Sequence, residues 1–177
     1  MTAMKISSVV LLAIALSSTV ASAAEQGNVT GKMVINGKTI KLTHVYASAG
    51  PSRWDKKKVE IRVILSDVPL SVEELASGSK REALANAGKL HAMELILADD
   101  PMGHPGKRAM SNDIYDSAFT TAQQPMRLSG LDTFETKTDD GKIIAGHHFM
   151  ESPHKFSDIG NNVTFQDDVT FSAAVAQ

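Results

Sequence analysis

The stretch from residue 31 to residue 46 constrains this chain most, because an Asn-Gly pair lies between two runs of alternating apolar and polar residues. Asn36-Gly37 favours a two-residue type I′ turn, which joins antiparallel strands and pairs Ile35 with Lys38. An apolar face on such a hairpin needs a core to cover it. That face is expected to comprise Met33, Ile35, Ile40, Leu42, His44 and Tyr46. The stretch therefore predicts the start of an antiparallel β-domain.

The first 23 residues have the pattern of an export signal. Lys5 supplies the positive start, residues 6–16 are mostly apolar, and Ala21-Ser22-Ala23 is a small-x-small cleavage site. Residues 24–177 then form a single β-rich domain, long enough to bury a core without disulfides, and the chain contains no cysteine. We expect a bacterial protein of the periplasm or exterior, with no membrane span after the signal is removed.

Further elements follow from hydrophobic periodicity and turn residues. Strands are predicted at 59–65, 90–98, near 112–119, at 131–138, 142–150 and 163–175, with Asp140-Gly141 as a second hairpin turn. Two capping boxes, at 71–74 and 79–82, predict a short helix over 71–88 or two turns broken at Gly78. The sequence thus predicts a mainly all-β protein, an antiparallel β-sandwich or partly closed barrel of about eight strands with one short helical insert.

Several phrases of the sequence, in their order, resemble a family of small bacterial exported β-rich proteins with uncharacterised activity. The phrases are Asn-Gly-Lys within the first hairpin, Leu-Thr-His-Val-Tyr-Ala at 42–47, Val-Ile-Leu-Ser-Asp-Val-Pro-Leu at 63–70, Asp-Gly-Lys-Ile-Ile-Ala-Gly at 140–146 and Asp-Val-Thr-Phe-Ser-Ala at 168–173. The resemblance spans most of residues 31–174 and implies an exported β-rich domain. It implies no activity and no functional residues.

Two irregular loops, at 47–58 and 99–106, suggest a binding surface. Arg53, Trp54 and His104 belong to residue types that are enriched where proteins bind partners. The basic residues beside Trp54 suit an anionic ligand, whereas the alternative is a solvated loop with Trp54 folded onto the sheet. The formal net charge of −2 favours neither nucleic acid nor a membrane surface.

A histidine group near the second hairpin suggests a divalent-metal site. His147, His148 and His154 are ligand types that suit zinc, copper or nickel. Adjacent residues of a strand point to opposite faces, so His147 and His148 do not readily share one ion. The predicted register pairs Phe134 with His147, and the alternative interpretation is therefore a histidine at the edge of the core.

One acidic residue interrupts the apolar face of the last predicted strand. Asp167 is either a site residue in a cleft or a residue at a bulge or sheet edge where it meets water. The sequence contains no nucleophile motif, cofactor fingerprint or thiol, so no cofactor is expected. We expect a binding module for an unknown protein or small molecule rather than an enzyme. Metal binding, or an enzyme with dispersed residues such as His44, Glu94 and Asp167, are the alternatives.

Overall fold

The computed structural model describes residues 27–53, 55–99, 108–119, 125–128, 130–157 and 162–177, and it is mostly β. The strands of these residues are β1 (Gly27–Ile35), β2 (Lys38–Lys41), β3 (His44–Pro51), β4 (Val59–Ser66), β5 (Ala92–Asp99), β6 (Arg108–Tyr115), β7 (Met126–Leu128), β8 (Thr133–Asp139), β9 (Ile143–Phe149), β10 (His154–Phe156) and β11 (Val163–Ala176). The helices are α1 (Val72–Ala76), α2 (Gly78–Asn86) and a 3-10 turn at Ser117–Phe119. The predicted export signal, residues 1–23, lies outside the described residues.

The strands form one curled sheet, a half-barrel, in the order β2-β1-β11-β3-β4-β5-β6-β7. β9 and β10 pair with β11, and β8 pairs with β9. β3 and β11 run parallel, with Val175 opposite Ala47. The mainly β prediction is confirmed. The prediction of a purely antiparallel sheet is wrong at this pair, and the described residues contain eleven strands where about eight were predicted.

The first hairpin forms at the predicted turn. Asn36 and Gly37 have φ angles of 50° and 78°, and Ile35 pairs with Lys38. Positive φ at both central positions is what a type I′ turn requires, and Asn-Gly adopts it at low cost. The predicted register is therefore confirmed.

The apolar face does not continue from Leu42 to Tyr46 as predicted. β2 ends at Lys41, and β3 begins after a two-residue break with its side chains in the opposite phase. Val45 therefore faces the inner core, while Tyr46 belongs to a second cluster on the outer face. At the break the chain leaves β1 for β4: the backbone N–H of Leu42 still donates to the carbonyl oxygen of Gly31, whereas that of Thr43 donates to the carbonyl oxygen of Ser66 on β4.

Two apolar clusters hold the sheet together. The larger lies on the inner face and draws on β1 to β7 and β9 to β11; its fully buried members include Met33, Leu42, Val45, Val63, Leu65, Met93, Leu95, Leu97, Ile114, Ile144, Val163, Phe165 and Val169. The smaller lies on the outer face against the helices and comprises Tyr46, Ile64, Leu70, Ala85, Leu90, Ala92 and Tyr115. Both faces of β3 to β6 are therefore covered over part of their length.

The helical insert is two short helices. The capping box at Ser71 and Glu74 is present, as predicted: the Ser71 hydroxyl accepts from the Glu74 backbone N–H, and the Glu74 carboxylate accepts from that of Ser71. The second helix begins at Gly78 with Ser77 as its N-cap, not at the predicted capping box of 79–82. The chain ends α2 with Gly88 at a φ of 66°, the left-handed conformation expected after a helix.

The second hairpin forms around the predicted turn but in a different register. A β-bulge between Thr136 and Thr138 inserts one residue into β8, so Phe134 pairs with His148 and Glu135 with His147. The predicted pairing of Phe134 with His147 is wrong because the pairing beside the turn, Thr138 with Ala145, is shifted by two residues from that of an Asp140-Gly141 turn, and the bulge returns it by one. A one-residue shift exchanges the faces of a strand. His148 therefore lies in the core, and His147 lies on the outer face.

Candidate functional site

The outer face of β4 to β7 carries a network of arginines and carboxylates. Strand alternation puts five charged side chains on the outer face of the sheet. They are Glu60 and Arg62 on β4, Glu94 on β5, Asp113 on β6 and Arg127 on β7. The register places Glu94 beside Asp113, and Asp113 beside Arg127. The network therefore crosses four neighbouring strands.

Glu60 is a buried anchor at one end of this network. Its carboxylate accepts hydrogen bonds from the Arg53 backbone N–H at 2.9 Å and from Nε and Nη2 of Arg62 at 2.8 and 2.6 Å. Burial alone would raise the pKa of Glu60, but the hydrogen bonds and charges of Arg53 and Arg62 outweigh burial and lower it. The carboxylate is therefore ionised at neutral pH and fixes the Arg62 guanidinium.

Asp113 is the corresponding anchor at the other end. Arg127 donates to both of its carboxylate oxygens, from Nε at 2.8 Å and from Nη2 at 3.1 Å. This bidentate bond raises the pKa of Arg127. The Arg53 side chain lies between the anchors, with Nε 3.9 Å from Glu60 Oε1 and Nη1 3.9 Å from Asp113 Oδ2. Arg53 therefore extends over β5.

A buried ion pair under the helices supports the network from the side. Arg81 Nη2 donates to Glu94 Oε2 at 2.6 Å and to the Tyr115 hydroxyl at 3.1 Å, and its Nη1 donates to the carbonyl oxygens of Glu74 and Leu75 at the end of α1. Burial alone would lower the pKa of Arg81, but the charge of Glu94 raises it overall. One side chain thus joins both helices to the sheet.

We call Arg53, Arg62 and Arg127 the arginine row. Their side chains are 25%, 41% and 51% exposed, whereas Glu60 and Asp113 beneath them are 0% and 5% exposed. Three positive charges above two negative ones leave one net positive charge, because Arg81 and Glu94 neutralise each other. Arg62 Nη1 also lies 3.8 Å from Glu94 Oε1. Partly exposed guanidinium groups held by carboxylates suit the binding of carboxylate, sulfate or phosphate groups.

A second polar cluster lies on the inner face. The ring of His148 is 0% exposed; its Nδ1 lies 2.5 Å from Asp167 Oδ2 and its Nε2 lies 2.9 Å from Asp132 Oδ2. The Asn112 amide also donates to Asp132 Oδ2. Burial alone would lower the pKa of His148, but the two carboxylates outweigh burial and raise it to about 9.

The structure brings only some of the predicted site residues together. Arg53 lies in the arginine row, while Trp54 and His104 lie outside the described residues. His147 lies on the outer face, 2.8 Å from Asp168 Oδ1. His154 lies on β10 opposite Phe165 of β11, whereas His148 lies opposite Val169, four residues further along that strand. Among the described residues, no group of three or more His, Cys, Asp or Glu side chains is arranged to hold a metal ion.

The prediction of an edge or bulge position for Asp167 is wrong. Asp167 pairs regularly with Met33 of β1 and is 1% exposed, because the His148 ring accompanies it in the core. Glu94 and Asp167, two residues of the enzyme alternative, do not meet. Glu94 lies on the outer face with Arg81, and Asp167 lies on the inner face.

Sequence reasoning missed most of the site. Glu60 and Arg62 were visible as the polar positions of a strand, a pattern that normally indicates a solvent face. Asp113, Asp132 and Arg127 carried no local signal, because their partners are 14 or more residues away in the chain.

A shallow groove of about 470 Å³ lies elsewhere, on the outer face of β1, β2 and β11. Its lining residues are Thr30, Gly31, Lys32, Thr39, Lys41, Asp168 and Thr170. The lysines and Asp168 are exposed and none of the lining residues is fully buried. The groove therefore lacks the buried anchors that orient the arginine row.

Comparisons with protein-family models, curated proteins and solved structures yield no match to this chain. The resemblance to an exported bacterial family stays a prediction. In the described part of the chain, neither helix has the length and apolar character needed to cross a membrane.

Proposed function

We propose that this protein is an exported, non-enzymatic binding module whose arginine row takes a ligand bearing several anionic groups. The observation that carries the proposal is the anchoring of three partly exposed arginines by the buried carboxylates of Glu60 and Asp113. Export rests on the signal pattern of residues 1–23. The imidazole of His148, the best acid or base of the inner cluster, is fully buried, which favours binding over catalysis.

Anchoring lowers the cost of binding. A free arginine side chain loses about 2 kcal/mol of rotamer freedom when it is fixed. Arg62 and Arg127 are already held by two hydrogen bonds each, so much of this cost has been met in folding. A preorganised guanidinium therefore binds an anion more tightly than a lysine on a mobile stem.

The spacing of the row selects for a ligand with more than one charge. Arg62 lies on β4 and Arg127 on β7, three strand spacings apart. At about 4.8 Å per spacing the two backbones are about 14 Å apart, and Arg53 lies between them. A single phosphate spans only part of this distance. Lys56, Lys57 and Lys58 are exposed in the adjoining loop and extend the positive surface.

The test uses heparin, a sulfated polysaccharide, as the polyanionic probe and inorganic phosphate as the single anion. The double variant Arg62→Gln/Arg127→Gln is compared with Lys32→Gln/Lys41→Gln, which removes the same charge from the outer face of β1 and β2. We expect calorimetry to show heparin binding weakened about tenfold or more in the arginine variant, since each lost charge-assisted bond is worth about 1.5 kcal/mol or more. The lysine variant should change it by about twofold or less.

Thermal melting must first show that both variants are folded. Equal weakening in the two variants would mean that heparin senses only net charge, and the proposal would fail. Wild-type protein that binds phosphate as tightly as heparin would contradict the inference of several anionic groups.

A further inference from the structure

The inner polar cluster has a feature that hydrogen bonding alone leaves unexplained. Asn112 and Asp167 are 0% and 1% exposed, yet Oδ1 of each has no hydrogen-bond partner. A buried polar atom without a partner costs about 1–3 kcal/mol. Both atoms belong to side chains that already contact the cluster around His148.

The acids of the cluster also outnumber its base. Asp132 and Asp167 flank a single imidazole, so full ionisation of both acids leaves one negative charge that His148 does not balance. An excess charge away from water is costly. A divalent cation beside a neutral imidazole would bring the sum to zero.

Three potential ligand groups converge at one point. His148 Nε2 lies 2.9 Å from Asp132 Oδ2 and 3.3 Å from the Asn112 amide nitrogen, which in turn bonds Asp132 Oδ2. Ligands of a tetrahedral zinc ion at 2.0–2.1 Å are about 3.3 Å apart. The separation of His148 from the Asn112 amide already matches this value, and Asp132 must move away from both groups to admit the ion. Rotating the Asn112 amide by 180° puts its unpartnered Oδ1 at this point in place of the nitrogen.

Asp167 has the role that a supporting carboxylate has in many metal sites. It accepts from Nδ1 of His148, on the far side of the ring from Asp132. A carboxylate in this position fixes the ring and directs Nε2 to the metal. Asp132 and Asp167 approach opposite edges of the His148 ring. These two carboxylates and the imidazole therefore cannot all bind one metal ion.

We infer that Asn112, Asp132 and His148 bind one divalent transition-metal ion of the zinc type, with Asp167 orienting His148. This site shares only His148 with the histidine group predicted from the sequence, and it is independent of the arginine row. Binding would displace the imidazole proton and tie β6 and the β7–β8 connection to β9.

The test is calorimetric titration of untagged, chelator-treated protein with Zn²⁺, followed by Co²⁺ absorption to report the geometry. We expect one Zn²⁺ per chain and a raised melting temperature. Asn112→Leu should weaken Zn²⁺ binding at least tenfold, and Asn112→Asp, which keeps an oxygen at the position, should retain it. His147→Gln and His154→Gln are the controls and should bind Zn²⁺ as the wild type does.

Absence of Zn²⁺ and Co²⁺ binding by the folded wild-type protein would overturn the inference without reference to any variant. Loss of binding in His147→Gln or His154→Gln, with Asn112→Leu unaffected, would also overturn it, because the metal would then be held by surface histidines.

Discussion

Replacing His148 by leucine should be among the most destabilising single changes in this protein. Leucine fills the ring's space but removes the hydrogen bonds to Asp167 and Asp132, both of whose side chains are buried. An uncompensated buried carboxylate takes up a proton instead of remaining charged. With an ordinary aspartate pKa of about 3.9, protonation at pH 7 costs about 4 kcal/mol at 1.36 kcal/mol per unit. We therefore expect a loss of about 4 kcal/mol.

Urea denaturation at pH 7 in EDTA, monitored by circular dichroism, measures this loss without bound metal. His147→Leu is the matched control: it changes the neighbouring histidine, whose partner Asp168 is exposed, and should cost about 1 kcal/mol or less. Adding Asp167→Val to His148→Leu should restore about 2 kcal/mol, because the stranded acid is gone. Equal losses for His147→Leu and His148→Leu, or no recovery in the double variant, would refute the reasoning.

Three further predictions concern the fold and the network. Gly31→Ala should cost about 2 kcal/mol or more in urea denaturation, since its Cβ would lie 2.2 Å from the carbonyl oxygen of Asp168. Gly37→Ala, which has open space around its Cβ, should cost about 1 kcal/mol. The reverse order would contradict the assigned strand contacts. Glu60→Gln should lower the free energy of unfolding at pH 7, and the difference from wild type should shrink on acidification. The pKa of Glu60 is lowered in the folded protein, so its ionised carboxylate stabilises the fold at pH values above its ordinary pKa near 4.5, and this stability is lost as pH falls. A difference that stays constant with pH would refute this. Arg81→Met should cost about 3 kcal/mol and expose residues 67–91 to limited proteolysis, whereas unchanged protection would show that the helices do not depend on Arg81.

Local signals predicted the parts of the fold that local physics decides. The Asn36-Gly37 turn, the Ser71 capping box and the alternation of β11 each depend on neighbouring residues, and each forms as predicted. The parallel pairing of β3 with β11 joins residues about 130 positions apart. No local pattern encodes such a contact.

The site was predicted poorly for a related reason. One extra residue in β8 exchanges the faces of His147 and His148, and only the paired strand reveals the bulge. The sequence marks Asp167 as an acid on an apolar strand face, but its partner His148 can be assigned only when the register of β9 is known. The arginine row draws Arg53, Arg62 and Arg127 from three separate elements, so its anchors become visible only when β4 to β7 are side by side.

The arginine row is tested most directly by NMR of arginine Nε–H groups during titration with a heparin oligosaccharide. Arg62 and Arg127 donate these protons to Glu60 and Asp113, which should make the signals sharp and resolvable. The buried Arg81 is an internal reference. We expect the Arg62 and Arg127 signals to shift saturably together while that of Arg81 stays in place. Saturable binding that leaves the Arg62 and Arg127 signals unmoved would contradict it.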